Sequence, residues 1–398
     1  MGTLGMTVIS GSTWQAAGTF LVALQEEFGW NRTVLSGAFA LARAEGAIMG
    51  PLEGFFADRF GARRTMTIGW VIAILGFLVF ATVQNAPTFY IAYAVLSLGA
   101  GMAGYLPIIT VINSWFRRSR TRAMSGPLIG ASAGGALMPL LAWGIVTYGW
   151  RLVSVAIGGL YAVAAVPILL VMRNRPEENG LTVDGDSVSD PAVKDGNSLV
   201  IPTGFTARQA LRTQAFWIIG LCHAGTATLF TTMSVHLVPH LNDQGFTLTK
   251  AATIVLVLTV SSGIFQFVGG WLGDKYNLRY IIFGFMAIQA VAMLFLLMVH
   301  SYGAAIIFGV VAGIGQGGRA PAMTSIRGEY FGRRAFGTIM GLSMIPMNIC
   351  ALIVPFATGV IFDVWGSYTG PFLFLAVAAA AGAIVILFAR PPKLPQEV

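Results

Sequence analysis

Charge is scarce in this chain: 10% of its 398 residues are Asp, Glu, Lys or Arg, while 56% are hydrophobic. A soluble domain carries roughly 25% charged residues, because its whole surface must meet water. The charges here are too few to wrap a globule of this size, which excludes an ordinary soluble protein and makes lipid the expected solvent. Cysteine is nearly absent. Cys222 and Cys350 both lie in apolar runs, with no CxxC pair and no metal-ligand spacing, so packing as small hydrophobes is their expected role. No Walker motif or HExxH occurs, and nothing is arranged for covalent catalysis. The expectation is therefore a protein that is not an enzyme, needs no cofactor or metal, and draws on a gradient rather than on ATP. A signal peptide is missing too. The first apolar run begins almost at Met1, so a short cytoplasmic tail is expected to precede this start.

What is present is a series of long apolar runs. About 20 apolar residues are needed for a helix to cross the hydrocarbon core. By that rule spans 1–6 fall near residues 2–24, 34–57, 64–83, 88–114, 123–148 and 152–172. Spans 7–12 fall near 212–238, 250–272, 278–300, 303–328, 335–362 and 368–390. Backbone groups find no water in lipid, so runs of this length must be helices, and the short alternating segments of a barrel are absent. The fold class expected is an all-α polytopic membrane protein of twelve transmembrane helices in two six-helix bundles. The bundles occupy 1–172 and 212–390, with a polar linker rich in Gly, Ser, Asp and Pro at 173–211 and a short tail at 391–398.

The net charge of +8 raises nucleic acid as a partner, but the basic residues cluster between apolar blocks rather than along a polar face. With the N-terminus inside, the outer loops hold only Arg32, Arg151 and Lys250, and Arg43 and Arg319 lie within spans. The other nineteen of the twenty-four Lys and Arg then face the cytoplasm, which places both termini there, in a cell inner (plasma) membrane. Nucleic acid is not an expected partner. The lipid bilayer is, and the chain is expected to act as a monomer.

The halves repeat one another. GFFADRFGARR (54–64) follows span 2, and GGWLGDKYNLRY (269–280) follows span 8. GYLP (104–107) matches GRAP (318–321), and WFRRSRTRAMSG (115–126) matches YFGRRAFGTIMG (330–341), at nearly the same offset. Parallel repeats of this kind occur in secondary transporters.

On these residues the chain resembles the major facilitator superfamily. Its loop 2–3 signature is filled by Gly54, Asp58, Arg59, Gly61, Arg63 and Arg64, and the second copy keeps Asp274 and Lys275 but has Asn277 in a glycine slot. The resemblance implies a gating latch here, in which Asp58 accepts from the end of a neighbouring helix. The plainer alternative is a topology-setting basic loop with a structural turn. EFGWNR (27–32), WFRRSRTRAMSG and HLVPHLNDQGFTLTKAA (236–252) resemble the monocarboxylate, or oxalate–formate, branch. That branch implies a secondary active transporter of small organic anions, usually with a proton, working by alternating access. It also implies that spans 1, 4, 7 and 10 line a central cavity. One departure matters. Span 8 has no Arg, and spans 1 and 11 offer no Lys, so a cation for a carboxylate must come from elsewhere.

Ionisable residues inside a membrane are candidates for function by default. Arg43 and Glu45 lie near the middle of span 2, about 200° apart around the helix, so each must find its partner off that helix. Arg319 lies at similar depth in span 10, where the Gly run and Pro321 of GIGQGGRAPAM are expected to loosen the helix. Two such Arg against one Glu leave a surplus positive charge that a carboxylate would neutralise. Arg319 is the better anion ligand by the implied cavity, Arg43 a second, and Glu45 the candidate proton-coupling group. Separate structural pairs for all three are the alternative. Tyr105 matches Arg319 in the repeat, and Trp14, Gln15, Asn113, Gln316 and Asn348 are further substrate-binding candidates. Glu53, Arg327 and Glu329 lie near the inner ends and suggest gating or structural pairing. His236 and His240, at the outer end of span 7, suit interfacial packing or a pH response. Rival functions are an exporter of drugs or amphipathic metabolites and a transporter-like nutrient sensor.

Overall fold

The computed structural model describes residues 1–30, 32–185 and 204–393. Within that range the side chain of Arg43 lies outside the described residues, as do linker positions 186–203 and tail positions 394–398. Among the described residues the regular structure is all helical, joined by short turns and loops, apart from one isolated bridge between Gly204 and Gly332.

Span 1 comprises Gly2–Ile9, a π-helical turn at Ser10–Gln15, and Ala17–Phe28. Span 2 is Arg32–Phe60, span 3 Ala62–Ala81, and span 4 Ala86–Ala103 continued by Tyr105–Trp115. Span 5 runs through Arg120–Ala133, a 3-10 turn at Gly134–Leu137, and Met138–Tyr148, and span 6 is Trp150–Val171. After a short helix at Ala207–Leu211 come span 7, Gln214–Asp243, span 8, Leu248–Lys275, and span 9, Leu278–Leu296. Span 10 is Tyr302–Phe331, span 11 Phe336–Trp365 and span 12 Thr369–Ile386. Nine of these twelve rods are long and apolar enough to cross a membrane by composition alone. The other three are informative. The π turn divides span 1, span 2 carries Arg43, Glu45, Glu53 and Asp58, and span 10 is diluted by glycine, Gln316 and Arg319.

Helix ends are set by local chemistry. Asn85 and Thr88 form a reciprocal capping box at the start of span 4, and Thr213 and Thr247 cap spans 7 and 8. Gly29, at φ 65°, closes span 1 in the left-handed conformation. The helices tolerate internal prolines such as Pro51, Pro167 and Pro355, because neighbouring helices can re-satisfy the freed groups.

The chain divides into two compact units, Met1–Ala207 with Phe331–Leu342, and Arg208–Tyr330 with Ser343–Val398. The first is cored by aromatic rings, with Trp70 and Phe77 each set edge-on to the fully buried Tyr161. Spans 3 and 4 approach closely there, since a Cβ at Gly99 would overlap the backbone of Ala73. The second unit is cored by aliphatic and aromatic side chains of spans 7, 8, 9, 10 and 12, among them Met233, Ile254, Met293, Phe308 and Phe372.

The two copies of the GxxP element differ. Span 4 is interrupted at Gly104, whose ψ of −130° leaves the helical region. Span 10 continues unbroken through Gly318 and Pro321, which corrects the expectation of a loosened helix. Its glycines serve close packing instead. A Cβ at Gly317 would overlap the carbonyl of Ser262 on span 8, and one at Gly318 would overlap the ring of Phe285 on span 9.

Candidate functional site

In the second unit, span 10 holds two buried cations eight residues apart. Arg319 is 4% exposed and Arg327 1%. Eight residues advance about 12 Å along the axis and leave the two side chains about 80° apart around it. Arg327 is held by neutral groups on three sides. Its Nε donates to Ser343 Oγ on span 11 at 2.7 Å, Nη1 to the Met323 carbonyl, and Nη2 to His223 Nδ1 on span 7 at 3.1 Å. A guanidinium can only donate, so His223 Nδ1 accepts and the imidazole carries its hydrogen on Nε2. Arg319 also lies within electrostatic reach of His223. The structure thus gathers spans 7, 10 and 11 around two cations and a neutral imidazole. His223 is the residue sequence reasoning passed over. The rule that flags ionisable groups inside spans applies to it, since it sits mid-span between Cys222 and Ala224. Gln316 and Asn348 are half-buried in the same unit.

In the first unit, Glu45 is hydrogen-bonded by Ser97 of span 4, while its buried Oε2 has no hydrogen-bond partner among the described residues. Glu53 lies two turns along the same helix with its carboxylate against Gly101, where a Cβ would displace it, and within electrostatic reach of Glu45. Tyr105 begins the second half of span 4. Asn113 is 1% exposed, donates to the Gly332 carbonyl at 3.2 Å and leaves its Oδ1 without a partner among the described residues.

The π turn of span 1 docks on the 3-10 turn of span 5. A Cβ at Gly11 would meet the Gly134 carbonyl at 2.7 Å, so only glycine permits the approach. Ser10 Oγ and Gln15 Nε2 each donate to the Ala131 carbonyl at 2.8 Å, Gln15 also reaches Ser10, and Ser12 pairs with Tyr161 at 3.0 Å. Gln15 is therefore a structural tie rather than an open donor. Trp14 alone is turned outward, 54% exposed, between buried Thr13 and Ala16.

The loop signature forms a polar cluster within the first unit. Asp58 accepts from the backbone N–H of Gly337 at 2.9 Å, and from both N–H and Oγ of Thr338 at 2.7 Å. The acceptor thus meets the positive start of span 11. Gly54 packs on Gly337 so closely that a Cβ there would overlap its carbonyl. Gly61 turns at φ 91° against Asn174, whose Oδ1 accepts from the Arg63 N–H at 2.8 Å. Arg59 lies over the Phe60 ring and Arg64 is exposed. In the second copy Lys275 Nζ stands 4.0 Å over the Trp271 ring, and Asp274 is engaged as well. Asn277 replaces the glycine because its turn, at φ −60°, needs no left-handed residue, and its side chain caps Arg279.

The first residues of the linker cross this cluster as a strap. The Arg173 carbonyl accepts from Trp115 Nε1, and Asp184 accepts from the N–H groups of Arg117 and Arg118. Glu177 takes a two-pronged hydrogen bond from Arg333 at 2.9 and 3.2 Å. Burial, the largest single influence, works to raise the Glu177 carboxyl, but the Arg333 fork, a backbone hydrogen bond and the charges of Arg333 and Arg175 together hold the group below its ordinary range. Among the described residues, no three His, Cys, Asp or Glu side chains gather where a metal could bind.

Known proteins agree with this architecture. The chain is 25% identical over 390 residues to monocarboxylate transporter 11 of Mus musculus, covering 94% of this chain and 82% of that one. It is 24% identical over 360 residues to monocarboxylate transporter 13 of Bos taurus, covering 87% and 80%. The backbone matches the E. coli fucose:proton symporter with a TM-score of 0.74 at 15% identity, covering 98% of each chain, which shows a shared fold. Residues 3–265 and 224–398 both match the Major Facilitator Superfamily, so between them nearly the whole sequence is accounted for, and the chain belongs to that superfamily of membrane transporters.

Proposed function

We propose that the protein carries small organic anions of the monocarboxylate type together with protons, by alternating access. The observation that carries this reading is Arg319, a cation held 4% exposed within span 10 and within electrostatic reach of His223, which in turn accepts from the second buried cation of that span, Arg327. A buried charge in a membrane is costly, and a site that accepts an anion there gives it a use. The relatives that are monocarboxylate transporters support the substrate class. In this reading Arg319 grips the carboxylate, Arg43 supplies a second positive charge, and Tyr105, Gln316 and Asn348 act as neutral donors. Glu45 carries the proton, and the contact of Asp58 with Gly337 and Thr338 is a latch that must open in each cycle.

The same reading places two six-span bundles at 1–172 and 212–390, both termini in the cytoplasm and the chain as a monomer in the plasma membrane. Uptake of labelled lactate, pyruvate and oxalate into proteoliposomes, with and without an inward proton gradient, tests it. Gradient-stimulated uptake of at least one acid is expected, with loss in Arg319→Ala. Uptake of none of the three, or full uptake by Arg319→Ala, would sink the reading.

A further inference from the structure

The interlocked turns of spans 1 and 5 have an outcome at one side chain. Hydrogen bonds to Ala131 and Tyr161, and the contact between Gly11 and Gly134, fix the π turn from both ends and turn its polar groups inward. Trp14 is the one large side chain the turn leaves open, at 54% exposure. It stands twelve residues beyond Gly2, about 18 Å along a hydrocarbon core roughly 30 Å thick, so it is near mid-depth. Tryptophan in membrane proteins gathers at the interfaces, where its N–H can reach water. No hydrogen bond to the Trp14 indole exists among the described residues, and in hydrocarbon that donor would be left unsatisfied. A face that meets water and substrate removes the conflict. One turn further on, Gly18 and Val22 line, with Ile145 and Val146 of span 5, an open cleft of about 690 Å³ whose wall begins beyond Trp14. That volume falls within the range of small-molecule sites. π turns inside α-helices occur frequently at functional sites.

We propose that the π turn presents Trp14 as the surface that recognises the apolar body of the carried anion, with preference for an aryl group. The indole face stacks on the aryl ring, and Nε1–H is available to a polar group of the same molecule. The substrate class rests on the anion reading above. The aryl preference rests on Trp14 itself.

Two measurements separate them. In the first, the emission lost on Trp14→Phe is followed in proteoliposomes with iodide in the water or doxyl-labelled chains in the lipid. Quenching by iodide and not by the doxyl label is expected, and the reverse overturns the proposal. In the second, uptake of phenylpyruvate is compared with that of pyruvate. The ratio should fall about tenfold in Trp14→Ala and recover in Trp14→Phe, as loss and return of one stacking contact require. An unchanged ratio overturns the proposal. If neither acid is taken up but 2-phenylethanol protects Trp14 from iodide, the anion reading fails and the aryl surface stands. If neither the acids nor 2-phenylethanol gives protection, the aryl surface fails.

Discussion

The Nη2 of Arg327 and the Nδ1 of His223 lie 3.1 Å apart, joining span 10 to span 7 inside the second unit. Removing His223 strips one acceptor from a buried cation that cannot lose its proton. We expect His223→Ala to cost about 2 kcal/mol, the usual range for a hydrogen bond to a charged group. His223→Asn, which keeps a carbonyl acceptor, should recover part of it. Thermal unfolding in detergent reads both variants, and an unchanged midpoint in His223→Ala would show that the bond contributes nothing to stability.

Asp58 accepts three hydrogen bonds from Gly337 and Thr338. Asp58→Asn puts an amide N–H where an acceptor is needed, whereas Thr338→Val removes only the hydroxyl. If the contact is a latch, exchange at saturating substrate should fall on the order of tenfold in the first variant, equivalent to about 1.4 kcal/mol, and less in the second. Equal rates in Asp58→Asn and wild type would leave the signature as a turn and a topology signal.

Among the described residues Glu45 is hydrogen-bonded by Ser97 and has an acidic neighbour in Glu53. Glu45→Gln should retain substrate exchange and lose proton-driven accumulation. Accumulation at the wild-type level in this variant would move the coupling role elsewhere, with Glu53 the next residue to replace.

The Glu177–Arg333 bridge carries a pH dependence whose sign follows from the lowered carboxyl. A group depressed on folding stabilises fully above its unfolded value, about 4.3 for Glu, and loses that contribution as pH falls through its folded value. Both side chains are partly exposed, so the contribution should not exceed about 1 kcal/mol. Wild type should therefore melt above Glu177→Gln at neutral pH, and the gap should close below about pH 4. A gap that persists in acid would point to packing rather than charge.

Much of this fold could be read from the sequence for simple reasons. Apolar length reports spans, and the residues that interrupt it, such as Glu45 and Arg319, report places where lipid is not the only neighbour. The resemblance in the loop signature implied that Asp58 would accept from a neighbouring helix end, and its carboxylate accepts at the start of span 11. What escaped the sequence depends on register between helices. Nothing in ISGSTWQ marks a π turn, and the residue it packs against, Gly134, lies more than a hundred residues away. The GxxP repeat misled in span 10 because the same glycines that can weaken a helix alone allow close packing beside spans 8 and 9. His223 was hidden by its apolar neighbours, and its tautomer is set by an arginine on another helix.

Span 4 and span 10 carry matching GxxP elements, yet the first has a joint at Gly104 and the second is a strut. A joint stores its give in one place. A strut passes load along its whole length. If the two units flex unequally, the compliance belongs to the first, and amide hydrogens on either side of Gly104 should exchange with solvent deuterium sooner than those flanking Gly318.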